Sequence, residues 1–86
     1  MKIYEVVLSK TAEKNISKLP SIIIALIIPE LELLAENPRP KGCKKLKGFS
    51  DLWRVRVGNY RIIYSIDDKI LLVDIREIGH RKDIYK

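Results

Sequence analysis

Residues Trp53-Arg54-Val55-Arg56-Val57-Gly58-Asn59-Tyr60-Arg61-Ile62-Ile63-Tyr64 constrain the fold more than any other segment of this chain. Two runs rich in β-branched and aromatic residues flank Gly58-Asn59, a two-residue turn of the primed class with glycine at the first position, as a type II′ turn prefers. A hairpin closed there pairs Val57 with Tyr60, Arg56 with Arg61, Val55 with Ile62, Arg54 with Ile63 and Trp53 with Tyr64. Side chains alternate along a strand, so Trp53, Val55, Val57, Tyr60, Ile62 and Tyr64 share one face, and Arg54, Arg56 and Arg61 share the other. The first face is a core surface. The second sets Arg56 directly across the ladder from Arg61, at a cost of some fraction of ~1 kcal/mol. One arginine on a strand is ordinary solvated-face chemistry. Three on one face, with further basic residues downstream, point to an anionic partner, and guanidinium forks suit phosphate best.

The whole chain shares this bias. Its 86 residues carry 17 Lys and Arg against 11 Asp and Glu, a net charge of +6, and the isoelectric point is near 9.6. Such a surplus points to nucleic acid or an acidic protein, whereas no basic amphipathic helix marks a membrane-binding segment. A hydrophobic content of 47% is ample for a packed core. The chain reads as one domain, residues 1–86, burying only ~60–65% of its unfolded surface, so a partner that binds the folded form would add much of its working stability. Cys43 is the single cysteine and His80 the single histidine, which excludes an internal disulfide and a thiolate metal cluster; no cofactor is expected. No signal peptide precedes Ser9 and no apolar run reaches spanning length, so a soluble cytoplasmic protein is expected.

Lys2 to Leu8 reads as a first strand, β-branched and only partly alternating. Ser9 is a credible N-cap for a short helix in which Ala12, Ile16 and Leu19 recur before Pro20. Ser21 to Glu36 reads as a second helix, with Ile23, Ile27, Leu31 and Leu34 on one stripe and a kink near Ala25 to Pro29, because an internal proline removes a hydrogen bond and costs ~3 kcal/mol if uncompensated. Its isoleucines are apolar on every side, so part of the run is expected to form an exposed patch. A basic linker, Arg39 to Gly48, leads to the hairpin, and its Lys44, Lys45 and Lys47 are candidate contacts to a nucleic-acid backbone. Asp67-Asp68-Lys69 turns the chain into a last strand, Ile70 to Ile78. A turn centred on Asp67-Asp68 would put Asp74 opposite Arg61. The expected fold is α+β and two-layered: an N-terminal strand, a two-helix hairpin and an antiparallel β-meander, with both helices on one side of the sheet.

Leu46-Lys47-Gly48, the segment Trp53 to Asp67 and the closing Ile78-Gly79-His80-Arg81-Lys82-Asp83-Ile84-Tyr85 together resemble the RelE toxins of bacterial and archaeal toxin–antitoxin systems. The resemblance covers essentially the whole chain. It implies a further short strand around Lys44 to Lys47, the first strand lying beside the last, and an open, concave arginine face. It also implies a ribosome-dependent endoribonuclease that cuts messenger RNA without metal, the RNA's own 2′-hydroxyl attacking the adjacent phosphodiester. Arg61 matches the family's transition-state arginine, Arg81 matches the arginine that follows the last strand, and Tyr85 matches a terminal tyrosine that serves as base or stacks on the scissile nucleotide. Arg54 and Arg56 stand where the best-known members have lysines; a guanidinium keeps the charge but hardly transfers protons. His80 stands where several relatives have histidine, and with an ordinary pKa of ~6.5 it is a natural acid–base group. The implied partners are the ribosome with its message and a small acidic, RelB-like antitoxin in a hetero-oligomer. The alternatives are a ParE-like toxin that binds DNA gyrase without cleaving anything, and a decayed, non-toxic domain that still binds its antitoxin.

Overall fold

The computed structural model describes residues 3–46 and 51–80. Seven elements follow one another: β1 (Glu5–Leu8), α1 (Lys10–Ser17), α2 (Ser21–Glu36), β2 (Lys44–Lys45), β3 (Leu52–Val57), β4 (Tyr60–Asp67) and β5 (Leu72–His80). The strands form one sheet in the order β1-β5-β4-β3-β2. β1 runs parallel to β5 and every other pairing is antiparallel. The expected α+β arrangement is therefore present, including the short strand at Lys44 and the first strand beside the last.

The β3–β4 register is the one that the Gly58-Asn59 turn requires, from Val57 opposite Tyr60 to Trp53 opposite Tyr64. Gly58 takes φ 60°, where a side chain would be strained. The apolar face of the hairpin meets the helices: Val55, Ile62, Tyr64, Val73, Ile75 and Ile78 form one buried cluster with Ala12, Ile27, Leu31 and Leu34. Tyr64 carries the largest fully buried side chain, and its hydroxyl donates to the Pro38 carbonyl at 2.7 Å.

Ser9 serves two elements at once. Its hydroxyl accepts from the Ala12 amide at 3.1 Å, capping α1, and donates to the Arg76 carbonyl of β5 at 2.9 Å. That carbonyl belongs to a β-bulge. Ile63 pairs with Glu77 and Tyr64 with Ile75, so Arg76 is the extra residue, and the helix cap satisfies a group that the ladder leaves over. The Asn15 side chain accepts from the Ile78 amide at 2.9 Å and fastens the other end of α1 to the same strand.

α2 runs from Ser21 to Glu36, as expected, and includes Pro29; Pro29 is exposed, so water can reach the Ala25 carbonyl that the ring deprives of its donor. Three local expectations are modified. β1 begins at Glu5, because the Tyr4 amide is already committed to the Ala35 carbonyl at the end of α2. β5 begins at Leu72, two residues late, since the Asp67 carboxylate accepts from the Lys69 and Ile70 amides and the chain needs Leu71 at φ 54° to rejoin the sheet. That longer connection resets the register, and Asp74 pairs with Ser65 rather than Arg61.

Candidate phosphate-binding face

The face of the sheet turned away from the helices is organised as two rungs. Residues directly opposite one another across adjacent strands share a face. Lys44, Arg54, Ile63 and Glu77 therefore line up across β2, β3, β4 and β5, and Arg56, Arg61 and Gly79 form the next rung across β3, β4 and β5. Four cations and one carboxylate are thus gathered on one surface by strand register alone.

These cations are not equivalent. Arg56 and Lys44 are exposed, whereas Arg54 and Arg61 are only 9% and 6% exposed. A buried guanidinium is costly unless its surroundings interact with it; both residues have interaction partners within the fold, although the buried Arg61 Nε makes no hydrogen bond. Ile63, two residues from Arg61 and directly across from Arg54, is buried as well and supplies an apolar floor between them. The arginine face is consequently more structured than the solvated strand surface that composition alone describes.

Asp74 lies four residues along β4 from Arg61, ~13 Å at strand spacing, and its carboxylate instead accepts from the Arg76 guanidinium at 2.9 Å. Glu77, diagonal to Arg61, is the acidic residue on these two rungs. Lys45 pairs with Trp53 and so points to the opposite face from Lys44, although both are exposed. His80 pairs with Tyr60 on the helix side of the sheet. Their rings meet edge to face with centroids 5.5 Å apart, beside a cleft of about 280 Å³ lined by Asn15, Lys18, Leu19 and Glu77 among others. The structure thus brings Arg54, Arg56, Arg61 and Lys44 together and does not bring His80 or Lys45 to them. Lys47, Arg81 and Tyr85 lie outside the described residues.

Sequence reasoning missed a polar cluster behind the hairpin. Asp68 accepts from the Tyr4 hydroxyl at 2.6 Å and from both terminal nitrogens of Arg39 at 3.3 and 2.9 Å, while Arg39 lies over the Trp53 ring, 5.1 Å from its centroid. The bond to Asp68 raises the Tyr4 pKa and holds Arg39 more firmly protonated. Burial, reinforced by Cys43, pushes the Tyr64 phenol well above its usual value. The available signal was the pair of aromatic residues at Tyr4 and Trp53, each bringing a large apolar body that recruits a polar neighbour.

Among the described residues no group of three or more His, Cys, Asp or Glu is placed to hold a metal ion, and no helix is long and apolar enough to cross a membrane.

Residues 6–85 match the family model described as the ParE toxin of the type II toxin–antitoxin system parDE. The chain is 34% identical to the putative toxin RelE1 of Methanocaldococcus jannaschii over 96% of each chain. It is 32% identical to toxin RelG of Mycobacterium tuberculosis over 96% of this chain and 97% of that protein. The chain belongs to the RelE/ParE superfamily. It is a RelE-like toxin of a type II toxin–antitoxin system. The fold of a RelE/ParE toxin is equally plain in three dimensions: the archaeal RelE in the RelE–RelB complex from Pyrococcus horikoshii OT3 superposes with a TM-score of 0.80 at 30% identity, covering 94% of this chain and 97% of that one.

Proposed function

We propose that this toxin is a ribosome-dependent endoribonuclease that cuts messenger RNA at a phosphate held on the arginine face. In this reading a base removes the proton of the 2′-hydroxyl, whose oxygen forms a bond to the adjacent phosphorus. The phosphorus–O5′ bond then breaks, leaving a 2′,3′-cyclic phosphate and a 5′-oxygen that takes up a proton. Arg61 and Arg54 stabilise the charge that builds on the phosphoryl oxygens, Arg56 and Lys44 draw the RNA backbone towards them, and Arg81 adds a further cation. Tyr85 takes the base or stacking role that the resemblance implies. His80, on the other face, has no phosphate contact in this reading.

The observation that carries the proposal is the pair of buried guanidiniums, Arg54 and Arg61, on the face of the sheet turned away from the helices. Binding a partner by charge alone is served as well by exposed lysines. Holding arginines fixed before the substrate arrives is what transition-state stabilisation demands, because the donors need not reorganise during the reaction. Purified toxin added to translating ribosomes should produce cuts that primer extension maps to the message, and Arg61→Ala should abolish most of them. An intact message under those conditions excludes the nuclease.

The family model's description as a ParE toxin supports a second reading, gyrase binding without cleavage. Inhibition of gyrase supercoiling together with an intact ribosome-bound message would select it. In either reading we infer an acidic, RelB-like antitoxin that neutralises the +6 chain, as RelB accompanies RelE in the archaeal complex. Steering by charge makes its association rate fall with salt more than its final affinity does.

A further inference from the structure

Three of the four large hydrophobics that α2 leaves exposed fall on a line of their own; the fourth, Ile28, lies ~130° away on the other flank of the helix. Ile22, Leu26 and Leu33 are 71%, 54% and 52% exposed, and with the exposed Pro29 they recur at intervals of four, three and four residues. That spacing keeps a seam turned towards one neighbouring helix. The line is ~16 Å long and lies ~130° around the helix from the row of Ile27, Leu31 and Leu34 that meets the sheet.

The ends of α2 are charged against its own dipole. Its first turn has no side-chain cap and no acidic residue, and its last residue is Glu36, with no basic residue nearby in that turn. A helix dipole favours the reverse distribution. Lys18 stands just before the helix, at the end that lacks the acid.

One arrangement answers the exposed seam and the misplaced charge together. We propose that a second copy of this chain packs its α2 antiparallel against the seam, about a two-fold axis passing between Ile27 and Ile28. Ile22 then meets Leu33 of the second copy, and Leu26 meets Pro29. Each Glu36 comes to the uncapped start of the opposite α2, beside Lys18. The same patch serves both copies, so the contact closes on itself as a dimer and does not propagate. The seam belongs to the helix layer, which leaves the arginine face of both copies open. The inference does not depend on nuclease activity.

Sedimentation equilibrium of the chain purified free of antitoxin tests it. The wild-type chain is expected to dimerise reversibly, and Leu26→Glu to sediment as a monomer with an unchanged far-UV spectrum, since Leu26 is exposed. In a Cys43→Ser background, Ile22→Cys combined with Leu33→Cys is expected to cross-link into a covalent dimer on mild oxidation. Ile22→Cys alone, ~16 Å from its own counterpart at helical rise, is expected not to cross-link. Glu36→Lys is expected to weaken dimerisation several-fold. A wild-type chain that stays monomeric at its highest soluble concentration overturns the proposal, as does cross-linking through Ile22→Cys alone. Loss of antitoxin binding by Leu26→Glu in a chain that is monomeric throughout assigns the seam to the antitoxin and likewise overturns it.

Discussion

Arg61 faces Arg56 directly across the β3–β4 ladder, yet Arg61 is 6% exposed and Arg56 is open to solvent. The two members of one like-charged pair therefore have different physical roles. Repulsion across the ladder disfavours both by some fraction of ~1 kcal/mol, but Arg61 is also packed beside Ile63 and held by its surroundings.

Replacing each with alanine should separate these roles. Arg61→Ala removes a buried side chain together with its contacts and interactions and is expected to cost ~1–3 kcal/mol, seen as a Tm lowered by about 4–8 °C for each kcal/mol in a domain of this size. Single-turnover cleavage should fall ~10²–10³-fold, the scale for losing one preorganised donor. Arg56→Ala should leave stability within ~0.5 kcal/mol of wild type and reduce cleavage far less. A Tm lowered more by Arg56→Ala than by Arg61→Ala would contradict this assignment.

His80→Ala addresses the acid–base chemistry. Because His80 shares a face with Tyr60 and not with Arg61, cleavage should stay within ~10-fold of wild type, below the ~10²-fold loss typical of a missing general acid or base. The pH–rate profile should keep its shape. A larger fall accompanied by loss of an ionisation near neutral pH would put the imidazole in the reaction.

Alkaline stability should report the two raised tyrosines. Folding favours the protonated phenols of Tyr64 and Tyr4, so their contribution is complete below the unfolded pKa of ~10 and is lost as pH climbs from there towards the folded values. The Tm should fall as pH rises above about 10 and keep falling beyond about pH 11. Tyr64→Phe should be less stable near neutrality by ~1 kcal/mol, the worth of the bond to the Pro38 carbonyl, and should show a shallower alkaline decline. An unchanged slope would mean that burial of Tyr64 does not control it.

Asp68→Ala tests the cluster behind the hairpin. Its ion pair with Arg39 is half exposed, with side chains 52% and 42% accessible, and such pairs contribute ~0–1 kcal/mol. Tyr4 is buried, however, and loses its acceptor. Asp68→Ala should therefore cost ~1–2 kcal/mol, more than Arg39→Ala, while cleavage is unaffected because the cluster lies behind the sheet. Chemical denaturation of the two variants gives the comparison.

The elements legible in the sequence were those governed by short-range chemistry. The Gly58-Asn59 turn sets the hairpin register, Ser9 marks the start of α1, and the stripe of Ile23, Ile27, Leu31 and Leu34 identifies the face of α2 that meets the sheet. Legibility ended where one local signal competed with another. Asp67-Asp68-Lys69 reads as a tight turn, but the Asp67 side chain draws the following amides into a longer connection, which moves Asp74 away from Arg61. Alternation then predicts the faces of β5 wrongly beyond Ile75, because one residue is left over at Arg76. The arginine face was visible as a pattern of charge. That Arg54 and Arg61 would be buried was not, since burial depends on what covers a strand as well as on its own residues.

The bulge at Arg76 also governs how β5 tolerates changes in length. The segments on either side of it follow opposite parity, and the surplus residue brings Ile78 back to the core and Gly79 opposite Arg61. Deleting Arg76 would let Glu77, Ile78, Gly79 and His80 keep every cross-strand neighbour they now have, losing only the carbonyl that anchors Ser9 and the ion pair with Asp74. Deleting Glu77 in a strand that keeps its bulge would turn Ile78 outward and a glycine inward, dismantling core and arginine face in one step.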